Sequence, residues 1–169
     1  YIPNRGGYRG LIWNGSANDF VDVTPTGATE ASITSMTPDT QAGGVRLGGN
    51  TVAALWHNSA ESFVNMAPAN SIGSAIFATL GEVHGGYAIF GSRARAMLWA
   101  GDDPSVVLDL HALLTPGYSA SEVYALSKDG DTYYAAGIAV RDGREEAMLW
   151  VGTIPAPGSL ALASLFGLT

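Results

Sequence analysis

Cysteine is absent from the sequence, which excludes disulfides, thiolate zinc sites and a cysteine nucleophile together. The compartment stays open, because a domain of this size folds without disulfides. Charge is sparse as well: 14% of the 169 residues are charged and Lys128 is the only lysine, against a usual charged share of about 25%. The 8 basic residues are outnumbered by 15 acidic ones, for a net charge of −7. Nucleic acid and anionic membrane surfaces are repelled at long range by that balance, so no nucleic-acid partner is expected. Long apolar runs are missing too. The most apolar stretch, Ser159 to Thr169, has eleven residues, where a spanning helix needs ~20. Catalytic signatures are lacking: there is no Gly-x-Ser-x-Gly, no phosphate loop and no His-Glu-x-x-His. The segment opens at Tyr1 with no basic region followed by an apolar one, so a secretory signal would lie outside it.

What the chain has in excess is glycine, 22 residues, and an apolar fraction of 47%, enough for a substantial core. Sparse charge with many glycines favours short buried strands joined by tight turns. All four tryptophans close the same local frame: "RGLIW" at Trp13, "VAALW" at Trp56, "RAMLW" at Trp99 and "EAMLW" at Trp150, spaced 43, 43 and 51 residues apart. Other features keep step with them. An alternating triplet follows the first three tryptophans ("VDV", "VNM", "LDL"), then a Pro-containing connection. A serine then opens an apolar run at Ser32, Ser74 and Ser121, and a small-residue pair opens a second at Gly43-Gly44, Gly85-Gly86 and Ala136-Gly137.

Each unit reads as four short strands. In the last unit they are expected at Glu122 to Ser127, Tyr133 to Val140 and Ala147 to Val151, with two-residue turns at Asp129-Gly130 and Asp142-Gly143. Four-stranded antiparallel meanders of this period match propeller blades better than helical repeats. The expected fold is therefore all-β, a partial β-propeller-like array of four-stranded antiparallel blades with a short apolar C-terminal helical tail. Residues 1–28 would be a partial unit, residues 29–153 two complete units and one lacking its outer strand, and residues 154–169 the tail. Trp13, Trp56, Trp99 and Trp150 would form the repeat core between blades. Since propellers close with about 4–8 blades, the segment is expected to be part of a longer protein, or half of an assembly completed by a second copy.

The candidates for chemistry are few. Asp22, Asn65 and Asp109 hold equivalent repeat positions, which suits a recurring strand-end hydrogen bond. "KDGD" (Lys128 to Asp131) and "GDDP" (Gly101 to Pro104) cluster oxygens that calcium could use, yet both fit tight turns. His57, His84 and His111 fall at three different repeat positions without metal-ligand spacing. Glu145 and Glu146 are adjacent, so on a strand they face opposite sides. Ser32, Ser74 and Ser121 are expected to bond locally to backbone. No catalytic residue, metal ligand or cofactor is implied.

The recurring "ALW", "VDL" and Gly-rich elements resemble the HAF-type extracellular repeats of bacterial secreted proteins, over nearly all of Tyr1 to Gly152. That resemblance implies a propeller-like fold and no shared catalytic residue. The tail resembles the PEP-CTERM sorting signal of Gram-negative bacteria that make exopolysaccharide, with Pro155, Ala156 and Pro157 standing for Pro-Glu-Pro and Leu160 to Leu168 for the start of its apolar helix. Ala156 replaces the glutamate, and the terminal basic cluster of the family does not appear before Thr169. The alternative for residues 154–169 is a helix docked on the repeats. The sorting resemblance implies processing by an exosortase, a secreted or outer-envelope location, exopolysaccharide or other envelope components as partners, and membrane contact only transiently through the tail. Three functions follow in order: a non-catalytic matrix or interaction protein, a glycan-binding propeller using Tyr118, Tyr133 or Tyr134 as stacking faces, and a propeller lyase or hydrolase.

Overall fold

The computed structural model describes residues 7–16, 18–154 and 167–168, and these fold as antiparallel β-structure with no α-helix. The first sheet pairs β1 (Leu11–Ser16) with β2 (Asp19–Asp22). The second runs β3 (Glu30–Met36), β4 (Gln41–Leu47), β5 (Asn50–Trp56) and β6 (Val64–Asn65). The third runs β7 (Gly73–Leu80), β8 (Val83–Phe90), β9 (Arg93–Ala100) and β10 (Val107–Asp109), followed by a 3₁₀ turn at Leu110–Leu113. The fourth holds β11 (Tyr118–Asp129), β12 (Thr132–Arg141), β13 (Arg144–Thr153) and β14 (Gly167–Leu168). Strand order in every sheet is chain order, as a meander requires, and among the described residues the sheets do not close into a barrel or ring.

Two expectations at the C-terminal end are corrected. Gly167 and Leu168 are extended, not helical: they pair with Val151 and Trp150 in the outer position that the sequence left vacant. An unpaired β13 edge would leave backbone donors and acceptors without partners, and the added strand supplies them. Pro155, Ala156, Pro157 and Leu160 to Phe166 lie outside the described residues. The strands of the fourth sheet also run longer than expected, and the register Asp129↔Thr132 puts the first turn at Gly130-Asp131, one residue later. The second turn lies at Asp142-Gly143 as expected, both residues having positive φ, the signature of a turn that matches strand twist.

One device recurs in the three four-stranded sheets. The first strand carries a bulge, leaving Thr34, Phe77 and Tyr124 without a register partner. Opposite each bulge stands a glycine: Gly43 faces Ile33, Gly86 faces Ile76 and Gly137 faces Val123. A Cβ on any of the three would overlap the neighbouring carbonyl oxygen, of Ser32, Ala75 or Glu122 respectively. The bulge presses backbone onto backbone there, and only glycine leaves room. This register corrects the frame read from sequence by one residue. Gly43, not Gly44, is the counterpart of Gly86 and Gly137, and buried Ala31, not exposed Ser32, is the counterpart of Ser74 and Ser121. A slip of one residue turns a side chain to the other face, which is why Ser32 points away from the interface that Ser74 and Ser121 enter.

The sheets stack through the dipeptide that ends each tryptophan frame. Neighbouring strand residues point to opposite faces, so Trp faces the preceding sheet and the residue before it faces the following one. Trp56 packs in a cluster with Val23 and Ile12 of the first sheet. Trp99 packs with Leu55 and Met66 of the second, and Trp150 with Leu98 and Leu110 of the third. Trp56, Trp99 and Trp150 are fully buried. Trp13 is 55% exposed, because among the described residues no sheet precedes its own.

Side-chain oxygens lock the stack. The Ser74 hydroxyl accepts from the Ala53 N–H of the sheet before it at 2.8 Å, and the Ser121 hydroxyl accepts from Ala96 N–H at 3.0 Å. Both donors stand three residues before a tryptophan. At the matching position in the first sheet, Gly10, the N–H donates to Thr24 Oγ1 at 3.2 Å. A buried donor left without such a partner costs about 1–3 kcal/mol.

Candidate functional site

A cleft opens between the second and third sheets, where four turns meet at one end of the stack. Its volume is about 310 Å³ and it is lined by Thr40, His57, Gly81, Glu82, His84, Gly101 and Asp102. His57 directly follows the tryptophan of β5, and its loop is fixed by reciprocal bonds. Buried Gln41 donates to Asn58 Oδ1 and accepts the Asn58 N–H, both at 2.8 Å, and the His57 N–H donates to Ser62 Oγ at 2.7 Å. Asn58 sits at φ 62°, a conformation asparagine tolerates.

Both ring nitrogens of His57 face acceptors: Nδ1 lies 3.1 Å from the Asp39 carbonyl oxygen and Nε2 lies 2.9 Å from Asp102 Oδ2. Partial burial works against the charged ring, but these two acceptors outweigh it and raise its pKa. When protonated, the ring donates to both acceptors and ties the second sheet to the third. His84, on β8, has the opposite environment. It is 1% exposed, its Nδ1 is 2.7 Å from Thr79 Oγ1, and its buried Nε2 has no partner among the described residues. Desolvation pushes its pKa down to about 4, the His57 charge adding and Asp102 opposing. One cleft thus holds a histidine inclined to carry a proton and one that refuses it.

That split predicts a pH dependence. The folded-state pKa of His84 lies below its unfolded value of about 6.5, so the unfolded chain binds the extra proton. Stability is whole above pH 6.5 and falls as the pH drops toward about 4, by about 3 kcal/mol for this group alone. His57, with its raised pKa, has the opposite sign: its contribution is full below its unfolded pKa and fades as the pH rises through the folded one. Urea unfolding midpoints at neutral and mildly acid pH should separate clearly in the parent protein. His84→Asn should flatten that difference, and an unchanged slope would refute the assignment to His84.

Among the described residues Thr40 is the only hydroxyl side chain lining the cleft, and no three His, Asp or Glu side chains gather to hold a metal ion. The arrangement can donate and accept hydrogen bonds and present a cation beside carboxylates. No protein-family model, curated protein or solved structure matches the chain.

The other sequence candidates are placed as follows. Asp22 Oδ1 accepts from Thr24 N–H at 2.9 Å, Asn65 Oδ1 from Ala67 N–H at 3.0 Å and Asp109 Oδ1 from Ala112 N–H at 3.1 Å. The two aspartates also pair with arginines four residues before the local tryptophan, Arg9 with Asp22 and Arg95 with Asp109. The second sheet has Val52 at the arginine position, and there the acid is replaced by Asn65. Burial tends to raise the Asp22 pKa, but Thr24 and Arg9 together hold it below the ordinary range. Asp109→Asn should keep the turn bond and lose only the half-exposed ion pair, about 0.5 kcal/mol. Asp109→Ala should cost about 1 kcal/mol more, since the cap is lost too. Thermal unfolding of the two variants checks the difference.

His111 stands apart from the cleft, its Nδ1 2.8 Å from Ser121 Oγ. In "GDDP", Asp102 serves His57, and Asp103 Oδ1 accepts the Ser105 N–H and hydroxyl. In "KDGD", Gly130 and Asp131 form the β11–β12 turn. Glu146 accepts from Tyr118 OH at 2.6 Å and from Arg141 at 2.9 Å, and Glu145 takes no part in this group. The Tyr118 ring lies under Arg141 at 4.7 Å and Tyr133 under Lys128 at 4.8 Å, so cations cover both, while Tyr134 is half-buried. A different aromatic group forms at the bulges. Phe77 lies 5.4 Å from Tyr87 and 5.5 Å from Tyr124, bridging the third and fourth sheets. Sequence spacing could not show it, because a bulge redirects a side chain that strict alternation would assign elsewhere.

Proposed function

We propose that this chain is a non-catalytic interaction module of an exported or envelope-associated protein, its sheets acting as blades of a propeller-like array. The observation that carries this reading is how the recurring residues are used. Tryptophan, the residue before it, the bulge glycine, the interface serine and the strand-end aspartate each hold sheet to sheet or close a turn. A fold built by repeating one interface presents a long, regular surface, as solenoids and propellers do. The export part rests on the resemblance of Pro155-Ala156-Pro157 and the following apolar residues to a sorting signal. The chain, expressed behind an export signal in an exopolysaccharide-producing host, should change its fractionation when the exosortase is deleted. Identical fractionation with and without the enzyme would overturn the sorting reading.

A glycan-binding role is favoured by one observation, the aromatic group at the bulges, where Tyr124 is 47% exposed beside Phe77. Aromatic faces of this kind stack on sugar rings. Under this reading a glycan array shows preferred polysaccharides, and Tyr124→Ala weakens that binding. A flat array would remove it.

A further inference from the structure

We propose that the cleft between the second and third sheets binds a primary ammonium group, held by Asp102, Glu82 and the unpartnered ring nitrogen of His84. Charge is divided between the two ends of these sheets. From Glu30 to Asp109 every arginine (Arg46, Arg93 and Arg95) stands near the β4–β5 or β8–β9 turn, at the end away from the cleft. At the cleft end the connections carry Asp39, Glu61, Glu82, Asp102 and Asp103, with no lysine or arginine among them. A cation is drawn to that end at long range.

Carboxylates alone would attract any cation, but the buried side of the cleft is more selective. His84 lines it, and its Nδ1 is taken by Thr79, which lies outside the lining, so the nitrogen left over is Nε2. A buried polar atom without a partner is costly, and a donor entering the cleft relieves it. Burial keeps the ring neutral near pH 7. With Nδ1–H donating to Thr79 Oγ1, Nε2 is a lone-pair acceptor. Among the described residues no three ligating side chains gather to hold a metal ion, whereas an ammonium needs only hydrogen-bond acceptors. Its three N–H donors match two carboxylates and one ring nitrogen. A guanidinium prefers a carboxylate it can grip with its whole fork, and Asp102 is shared with His57. The volume of about 310 Å³ is at the small end of ligand pockets and suits a short alkylamine or the end of a lysine side chain.

Protonated His57 competes for the same carboxylate. The His57 and Asp102 side chains are 41% and 52% exposed, so a ligand can displace the imidazole. His57 faces the Asp39 carbonyl oxygen, Glu61 lies on its own loop, and across the cleft stand Glu82, His84 and Asp102, with Asp103 next in the chain. As the pH rises through the raised folded-state value of His57, that ring gives up its proton, while an alkylammonium with a pKa of about 10 keeps its own. Binding therefore strengthens from about pH 6 to about pH 8.5. The site needs neither the sorting signal nor Tyr124, so its failure would leave the export and glycan readings standing.

The 169-residue chain, labelled at its histidine nitrogens, can be titrated by NMR with diaminopentane and with a blocked lysine peptide, which separates a free amine from a protein side chain as the source. At least one should shift His84 Nε2, with a Kd of about 1 mM at pH 8.5 and several-fold weaker binding at pH 6. Asp102→Asn should weaken binding about tenfold, the loss of one charge-assisted bond, and Glu82→Gln serves if that variant misfolds. His57→Gln should bind at pH 6 as tightly as the parent does at pH 8.5, because the competing cation is gone. Tetramethylammonium, equal in charge but without an N–H, should leave His84 unmoved. Equal binding of tetramethylammonium, a His84 shift produced by sodium acetate in place of the amine, no binding of either amine, unchanged affinity in the folded carboxylate variant, or a His57→Gln variant that keeps the parent pH dependence would each overturn the proposal.

Discussion

Gly43→Ala should unfold the protein or cost about 3 kcal/mol or more, while Gly44→Ala beside it should change stability by no more than about 1 kcal/mol. The two glycines are adjacent and look equivalent in the sequence. At Gly43 the added Cβ meets the Ser32 carbonyl oxygen of the bulged strand, and neither backbone can withdraw without breaking the register of β3 with β4. At Gly44 it meets the Thr51 methyl at 3.1 Å, a side-chain atom that can shift by a few tenths of an ångström. The unfolded chain also loses freedom when alanine replaces glycine, which offsets part of that strain. Urea unfolding of the pair measures the difference. Equal effects at Gly43 and Gly44 would refute the bulge register. Gly86→Ala and Gly137→Ala should behave like Gly43→Ala, since both face the same kind of carbonyl.

The second large effect is at the tryptophans. Trp99→Ala should cost about 3–5 kcal/mol, as expected for emptying a well-packed aromatic site. Its ring is fully buried between Leu55, Met66 and Val107, and the cavity left behind spans two sheets that cannot both collapse. Its indole N–H has no acceptor among the described residues, so part of that cost is recovered when the unsatisfied donor leaves with the ring. Trp13→Ala, in the same sequence frame, should cost under about 1 kcal/mol, because Trp13 is 55% exposed. Guanidinium unfolding of the two variants compares them. Similar losses at both positions would mean that Trp13 is covered.

The repeat was legible because each unit must bury the same face against a neighbour, and that constraint writes tryptophan and leucine into the same frame every time. The turn at Asp142-Gly143 was legible for a local reason, since two residues with positive φ select Asp and Gly. The frame of Ser32 and Gly44 was misread by one residue because Ala31 replaces the interface serine in that unit. Thr24 takes over the bond to Gly10 that a serine would otherwise make, so the substitution is compensated from the connection just before the strand, outside the repeat position itself. The cleft was not legible at all. His57 and Asp102 stand 45 positions apart at different places in their units, and only the stacking of the sheets brings them to 2.9 Å.

By itself the sequence determined the strand content, the meander within each unit and the four tryptophan frames, because alternation, turn chemistry and repetition act locally or at a fixed period. The tertiary structure decided which tryptophans are buried, which glycine is indispensable, how His57 and His84 come to hold opposite protonation preferences in one cleft, and where Gly167 and Leu168 pair. Those outcomes depend on what lies across an interface, and the distance across an interface is not written in the spacing along the chain.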